Sequence, residues 1–280
     1  MSFQIRRLEA TLGVPILRRD GRRVVPTEAG LTLYRYASEM LAATNALKRD
    51  VDAIASGELD EITVGANPAY SAHVLPELLV RFQPRHPGTR LTLVQGSMVD
   101  IAAQVRSGQI DAGVVHSSFP QADHDGIYLG HDEVLIVESA RHPITNGQPM
   151  TLEEVSKAPL VDLRAGRVQP AAPLNNLLVA AGLPPAKAVL ILSTWDGVKQ
   201  GVRAGIGLAV VLHALVRGEL RSGEFRVVAV HGFRELRHVY LLSSDRRRER
   251  PSGAFRDLHA FLEQEVPAAF YRSPGLIPTD

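Results

Sequence analysis

A chain of 280 residues, 45% hydrophobic and without cysteine, is long enough for two or three domains and excludes disulfides and thiolate chemistry. Its 31 basic residues nearly balance 30 acidic ones, so overall charge points to no partner. No apolar run reaches bilayer length, and the polar, basic N-terminus has no secretory apolar core. A cytoplasmic chain without a membrane partner is expected.

The charge is unevenly placed. Within residues 1–30, Arg6, Arg7, Arg18, Arg19, Arg22 and Arg23 stand against Glu9, Asp20 and Glu28, the local excess that a phosphate-contacting element needs. Residues 2–12 read as a helix, with Ile5, Leu8 and Leu12 on one side and Gly13 as the stop. Ile16-Leu17 and Val24-Val25 flank Asp20-Gly21, the pattern of a two-stranded hairpin. Thr27 and Glu28 fit the cap and acidic first turn of a long helix. Leu33, Ala37, Met40, Thr44, Leu47, Val51 and Ile54 then alternate at four- and three-residue steps until Ser56-Gly57. That spacing predicts a coiled-coil seam, most simply between two copies of the chain.

From Glu61 onward, short apolar strands alternate with helical runs, which predicts parallel βαβ units. The first set has strands over 62–66, 90–95 and 110–115, with helices over 71–83 and 97–107. Strands over 127–129 and 133–137 follow. A second set has strands over 160–163, 188–192, 206–211 and 226–230, with helices over 173–181, 194–204 and 212–218. A strand over 239–243 leads back to a terminal helix over 252–265. The tail after Ala268 carries no pattern of either kind.

In open α/β sheets, ligands sit beyond the carboxyl ends of strands, where helix N-termini offer free N–H groups. Those positions hold Asn67 and Ser71, then Gln95-Gly96-Ser97-Met98, then His116-Ser117-Ser118, and in the second set Ser193-Thr194-Trp195. Hydroxyls and an amide converging on one cleft suit a small anion such as a carboxylate, with Arg164 as counter-charge. Taken singly, each Ser or Thr also fits a plain helix cap, Trp195 a core residue and His116 a strand-end surface residue.

Other signals point nowhere. Gly201, Gly205 and Gly207 follow a helix and precede a strand, the reverse of a dinucleotide loop, and Gly205 reads as a helix stop. The ten histidines show no metal-binding spacing, and His131-Asp132 reads as a loop. No nucleophile elbow or phosphate loop is present. Arg246 to Arg250 reads as a solvated basic turn.

Ser2, Gln4, Ile5, Leu8, Glu9, Leu12 and Gly13 resemble the recognition-helix pattern of LysR-type transcriptional regulators. Arg19, Arg22 and Thr27-Glu28-Ala29-Gly30 are similar to that family's wing and linker start. The likeness continues through Leu75-Pro76, Leu78, Phe82 and His86-Pro87, through Gly108 and Ile110-Asp111-Ala112-Gly113, and through Val202 and Ala204 to Ala209. In this order and spacing the pieces reinforce one another.

The resemblance implies an α/β, two-lobed effector domain like a type II periplasmic binding protein, preceded by a partial winged helix-turn-helix and a linker helix. The divisions expected are 1–30 for the DNA-binding unit and 31–57 for the linker and dimerisation helix. Residues 61–132 with 237–268 form one lobe, 133–236 the other, and 269–280 the tail. Ser2, Gln4, Arg7, Arg22 and Arg23 are the implied DNA contacts. Asn67, Ser71, Ser97, Met98, His116, Ser117, Ser193, Thr194 and Trp195 are the effector contacts. The partners implied are promoter DNA, a small-molecule effector, a homodimer or homotetramer, and RNA polymerase.

No cofactor and no enzymatic activity are expected; the tetrapyrrole-synthesis deaminase of similar lobes holds its cofactor through a cysteine that this chain lacks. The competing readings are a solute-binding or sensor protein without DNA binding, and a truncated dimer partner that blocks an intact relative. The last arises because the chain opens inside the recognition helix. DNA binding is therefore conditional on two preceding helices, with Met1 read as a start chosen inside a longer frame.

Overall fold

Helix α1 (Phe3–Leu12) buries none of its residues. It stops at Gly13, whose amide donates to the Glu9 carbonyl at 2.9 Å. The Glu9 side chain then closes the turn, Oε1 accepting from Ile16 N at 2.9 Å and Leu17 N at 3.3 Å. The expected hairpin follows as β1 (Leu17–Asp20) and β2 (Arg23–Pro26), antiparallel from Leu17↔Pro26 to Asp20↔Arg23. The computed structural model describes residues 3–21, 23–37, 40, 41, 44, 47, 60–117, 126–164 and 170–270.

Helix α2 occupies 28–37 and is helical again at 40, 41, 44 and 47. Thr27 caps it as expected: its Oγ1 accepts from Gly30 N at 3.0 Å and donates to the Pro15 carbonyl at 2.8 Å. Gly30 lets this helix lie against the hairpin, because a Cβ there would sit 2.0 Å from the Ile16 carbonyl oxygen. Of the residues expected to form the seam, Met40 and Leu47 are exposed. Val51, Ile54 and Ser56-Gly57 lie outside the described residues.

The first α/β set comprises β3 (Asp60–Ala66), α3 (Pro68–His73), α4 (Leu75–Phe82), β4 (Thr89–Gln95), α5 (Met98–Arg106) and β5 (Ala112–Ser117). Strand β3 pairs in parallel with β4 and β5. Two helices replace the single one expected over 71–83, because Val74 leaves helical geometry at φ −121° before Pro76 opens α4. Strand β6 (Ile127–Ser139) is one strand of 13 residues, where two were expected. Gly130 carries the chain through the supposed gap at φ +122°.

The second set comprises α6 (Leu152–Lys157), β7 (Leu160–Leu163), α7 (Ala172–Ala180), β8 (Ala188–Leu192), α8 (Trp195–Arg203), β9 (Ala209–Leu212), α9 (His213–Arg221) and β10 (Phe225–Val227). The chain returns along β11 (Glu235–Ser243) to α10 (Asp245–Glu249) and α11 (Gly253–Ala268). Strands β7 and β8 are parallel, while β9 and β10 run antiparallel to the later half of β6. Strand β11 pairs with β5 and with β6, so β6 and β11 pass from one lobe to the other. Two α/β lobes joined by two crossover strands result, as the resemblance implied. Among the described residues, no helix is long and apolar enough to cross a membrane.

The basic run before α11 departs from its reading as a solvated turn. Arg247 is 5% exposed. It donates through Nε to Asp111 Oδ1 at 2.8 Å and through Nη2 to the Glu61 carbonyl at 2.6 Å and Asp60 Oδ1 at 3.3 Å. Asp111 in turn accepts from Thr63 N at 2.8 Å. A buried guanidinium held by two carboxylates thus fastens α10 to the starts of the neighbouring strands β3 and β5. Fixed planar donors suit this multidentate role.

Candidate functional site

The carboxyl ends of β3 and β4 meet through Asn67, Ser71 and Gln95. Asn67 caps α3, its Oδ1 accepting from Ala69 N at 3.0 Å and Tyr70 N at 3.1 Å. Its Nδ2 is buried without a partner among the described residues. Ser71 donates to Gln95 Oε1 at 3.2 Å, and Gly96 N to the Ala66 carbonyl at 3.0 Å. These bonds bring the first two corners of the expected cleft together. Ser97 caps α5 through a capping box with Asp100, and Met98 packs beside Ile101, Val105, Tyr240 and Leu242.

His116 and Ser117 end β5 opposite Val239 and His238. The His116 ring lies 6.2 Å from that of Tyr70. Burial, then the Arg237 charge, pushes its pKa down to about 4, so it is uncharged at neutral pH. Ser118 lies outside the described residues.

In the second lobe, Ser193 is exposed at the end of β8. Thr194 caps α8 by accepting from Gly197 N at 3.2 Å, and Trp195 is half-buried against the main core. Arg164 is exposed at the end of β7, its amide donating to the Leu192 carbonyl at 2.8 Å. Asn67, Ser71 and Ser97 bond within the first lobe, and Thr194 within the second. The two sets form separate rims. Asp100 and Asp196 stand in the first turns of α5 and α8, whereas α3 has no acid there. The first-turn amides of α3 are already taken, Ala69 and Tyr70 by Asn67 Oδ1 and Ser71 by the Asn67 carbonyl, and Pro68 has none. The polar group left over at this corner is Asn67 Nδ2.

Two residues between the lobes escaped the sequence reading. Asp132 on β6 is fully buried, and its Oδ2 accepts from Tyr70 Oη at 3.0 Å and from Ala214 N at 3.4 Å. Burial outweighs these bonds and a further one from the Glu133 backbone, and pushes its pKa up to about 7. Burial also raises the Tyr70 hydroxyl, helped by the Asp132 charge. Asp132 falls in phase with the buried Val134 and Ile136, a period-two signal that places it inward rather than in a loop.

At the N-terminus, Gln4 and Arg7 are exposed on α1, one turn apart and so on one side. Ser2 and Arg22 lie outside the described residues, and Arg23 is described only through its backbone pairing with Asp20. An apolar groove of about 520 Å³ opens between α1, the hairpin and α2, lined by Ile5, Ile16, Leu17, Pro26, Leu31, Leu33 and Tyr34 among others. Among the described residues, no group of three or more His, Asp or Glu side chains is arranged to hold a metal.

A helix-and-hairpin unit followed by a two-lobed α/β domain defines a ligand-responsive regulator. The profile of the LysR substrate binding domain matches residues 55–267, and that of the lysR-family bacterial regulatory helix-turn-helix matches residues 1–31. The chain belongs to the LysR family of transcriptional regulators. The regulator CbbR of Xanthobacter flavus is 25% identical over 98% of this chain and 82% of its own length. The regulator cbl of Escherichia coli is 29% identical over 80% of this chain and 69% of its own length. The regulatory domain of CcmR from Synechocystis PCC6803, solved in complex with 2-PG, superposes with a TM-score of 0.58 at 15% identity. It covers 73% of this chain and 96% of that domain. CbbR and cbl are both transcriptional regulators.

Proposed function

We infer that the chain carries a small-molecule signal from the cleft between its lobes to promoter DNA held by its N-terminal unit. The carrying observation is the pairing, in one chain, of a basic helix-and-hairpin unit with a two-lobed domain whose strand ends converge. The division that fits this use is 1–30 for DNA contact and 31–57 for the linker. Residues 61–132 with 237–268 make one lobe, and 133–236 the other. Two copies joined along α2, as a homodimer or a pair of dimers, would set the separation of two half-sites. The site of action would be the cytoplasm, with RNA polymerase as a further partner.

On α1, Ser2, Gln4 and Arg7 would reach base edges and phosphates, and Arg22 and Arg23 on the hairpin would touch phosphate. For α1 to keep that pose, the apolar groove beneath it has to be covered, since a bare apolar face of this kind favours other packings. In the cleft, a ligand carrying a carboxylate fits the α3 corner, where Asn67 Nδ2 is a donor in reserve and no first-turn acid opposes it. Asp100 and Asp196 favour hydroxyl or ammonium groups at the α5 and α8 corners. Ser71, His116, Ser117, Thr194 and Trp195 would complete the wall, with Met98 and Ser193 at the rim.

Retardation of upstream DNA over a range of salt tests the DNA arm: affinity is expected to fall steeply and linearly on logarithmic axes. Absence of any complex at low salt would leave the reading of a sensor without DNA binding. A thermal-shift screen of small carboxylates tests the cleft, because a ligand bound only by the folded form raises the melting temperature by mass action. The shift is expected to shrink in Asn67→Ala.

A further inference from the structure

The two faces of the boundary between the lobes are built differently. On one face, α3 of the first lobe packs against α9 of the second. Ala69 and Tyr70 from α3, and Ala214 and Leu215 from α9, are buried in one apolar cluster that spans both lobes. Polar contacts follow the same line. Asp132 Oδ2 accepts from Tyr70 Oη at 3.0 Å and from Ala214 N at 3.4 Å. Further out, Arg217 pairs with Glu77, and Lys199 Nζ lies 3.5 Å from His73 Nδ1. Phe270, just beyond α11, meets the Tyr70 ring edge-on at 6.5 Å.

On the other face, α5 packs on β3, β5 and β11. Its Ile101, Ala102 and Val105 belong to a second apolar cluster, with Val115, Tyr240 and Leu242 among its strand residues. Among the described residues, no member of that cluster comes from 133–236. Ser97 at the head of α5 bonds to Asp100 of the same helix. The core therefore runs from lobe to lobe on the α3 side and stops inside the first lobe on the α5 side. Parting α3 from α9 would expose buried apolar side chains and break cross-lobe hydrogen bonds. Parting the lobes on the α5 side leaves both clusters whole.

We propose that the lobes form a one-sided hinge, held along the α3–α9 junction and opening on the α5 side. Close-packed interfaces do not deform by degrees, so motion goes to the face where no burial is lost. The crossover strands are irregular at one level, where such a hinge has to bend. Gly130 on β6 sits at φ +122°, and its partner Val239 on β11 stands where the register slips before Tyr240. A ligand of the cleft would enter and leave past the head of α5. That corollary rests on the sensing function proposed above, whereas the hinge itself does not.

The chain has no cysteine, so introduced cysteine pairs can be spin-labelled selectively. Val80 on α4 with Ser222 after α9 spans the α3–α9 junction, and Val99 on α5 with Arg164 at the end of β7 spans the other face. All four positions are exposed. Val80 with Val99, and Arg164 with Ser222, each stay within one lobe and give the width due to the labels alone. Electron–electron distances would be measured with labelled chain diluted in unlabelled chain and no ligand added. The Val80–Ser222 distribution is expected to be as narrow as the single-lobe controls, and the Val99–Arg164 distribution broader than both. Tyr70→Ala removes the bond to Asp132 and the ring against Phe270, so it is expected to broaden the Val80–Ser222 distribution. Equal widths across the two faces, a Val99–Arg164 pair no broader than the controls, or a Val80–Ser222 pair unmoved by Tyr70→Ala would each overturn the proposal. If Tyr70→Ala does not fold, the widths in the parent chain decide. No ligand enters these outcomes, so an empty thermal-shift screen would count against the sensing function and leave the hinge standing.

Discussion

The N-terminal unit and the two-lobed domain are built on opposite economies of surface. Helix α1 buries nothing and shares an open apolar groove with the hairpin and α2. The lobes bury a continuous core that runs from Ile62 to Ala269 and even enclose the charged side chains Arg247, Asp111 and Asp132. The contrast teaches where each part gets its stability. The sensor holds itself together, whereas the DNA-contacting unit has sound local joints, at Glu9, Thr27 and Gly30, but lacks a core of its own among the described residues.

The sharpest break in that comparison comes from the charged interior. Arg247→Ala leaves Asp111 buried without its main partner, which is expected to cost about 3–5 kcal/mol, read as a lower denaturation midpoint of the two-lobed domain. Gly30→Ala places a methyl against the Ile16 carbonyl, and overpacking of this kind costs about 1–3 kcal/mol. Its effect is expected to stay local, as faster amide exchange at Ile16 and Thr27 with the main unfolding transition unmoved. Leu8→Ala, on a residue 38% exposed, is expected to change stability by no more than about 0.5 kcal/mol. The same truncation at the buried Leu174 is expected to cost about 2–5 kcal/mol. Equal losses at Leu8 and Leu174 would erase the contrast.

The pH dependence of the lobes has a definite sign. The Asp132 pKa is raised from 3.8 to about 7, so between those values the folded chain holds a proton that the unfolded chain has released. Stability from this group is fully present below about 4 and falls as pH rises through about 7. Asp132→Asn is expected to flatten that part of the curve of melting temperature against pH.

Much of the fold was legible because local chemistry and global packing agree. Asp20-Gly21, the Thr27 cap and the alternation of apolar strands with helices all name elements that form. The misses have local causes. The periodicity of 71–83 runs unbroken through Val74, although Pro76 marked a new helix start. Gly130 looked like the end of a strand, but its left-handed backbone turns it into a bend within β6. Helix α6 has only six residues, too few for a periodic signal, yet Thr151 and Glu154 carried its capping box. The run from Arg246 to Arg250 looks solvated in one dimension, because the carboxylates that enclose Arg247 come from residues more than a hundred positions earlier.

Of the cleft, the strand-end positions were legible, and Asn67, Ser97 and Thr194 do cap helices there. The Tyr70–Asp132 pair was not, since it depends on a contact across 62 positions.

Native-state hydrogen exchange on the intact chain tests the central contrast most directly. Amides of β3, β5, β6 and β11 are expected to exchange only through global unfolding, and those of α1, β1 and β2 through low-energy local opening. Protection in α1 equal to that in β5 would contradict the account, because it would mean that the N-terminal unit is as firmly held as the sensor it serves.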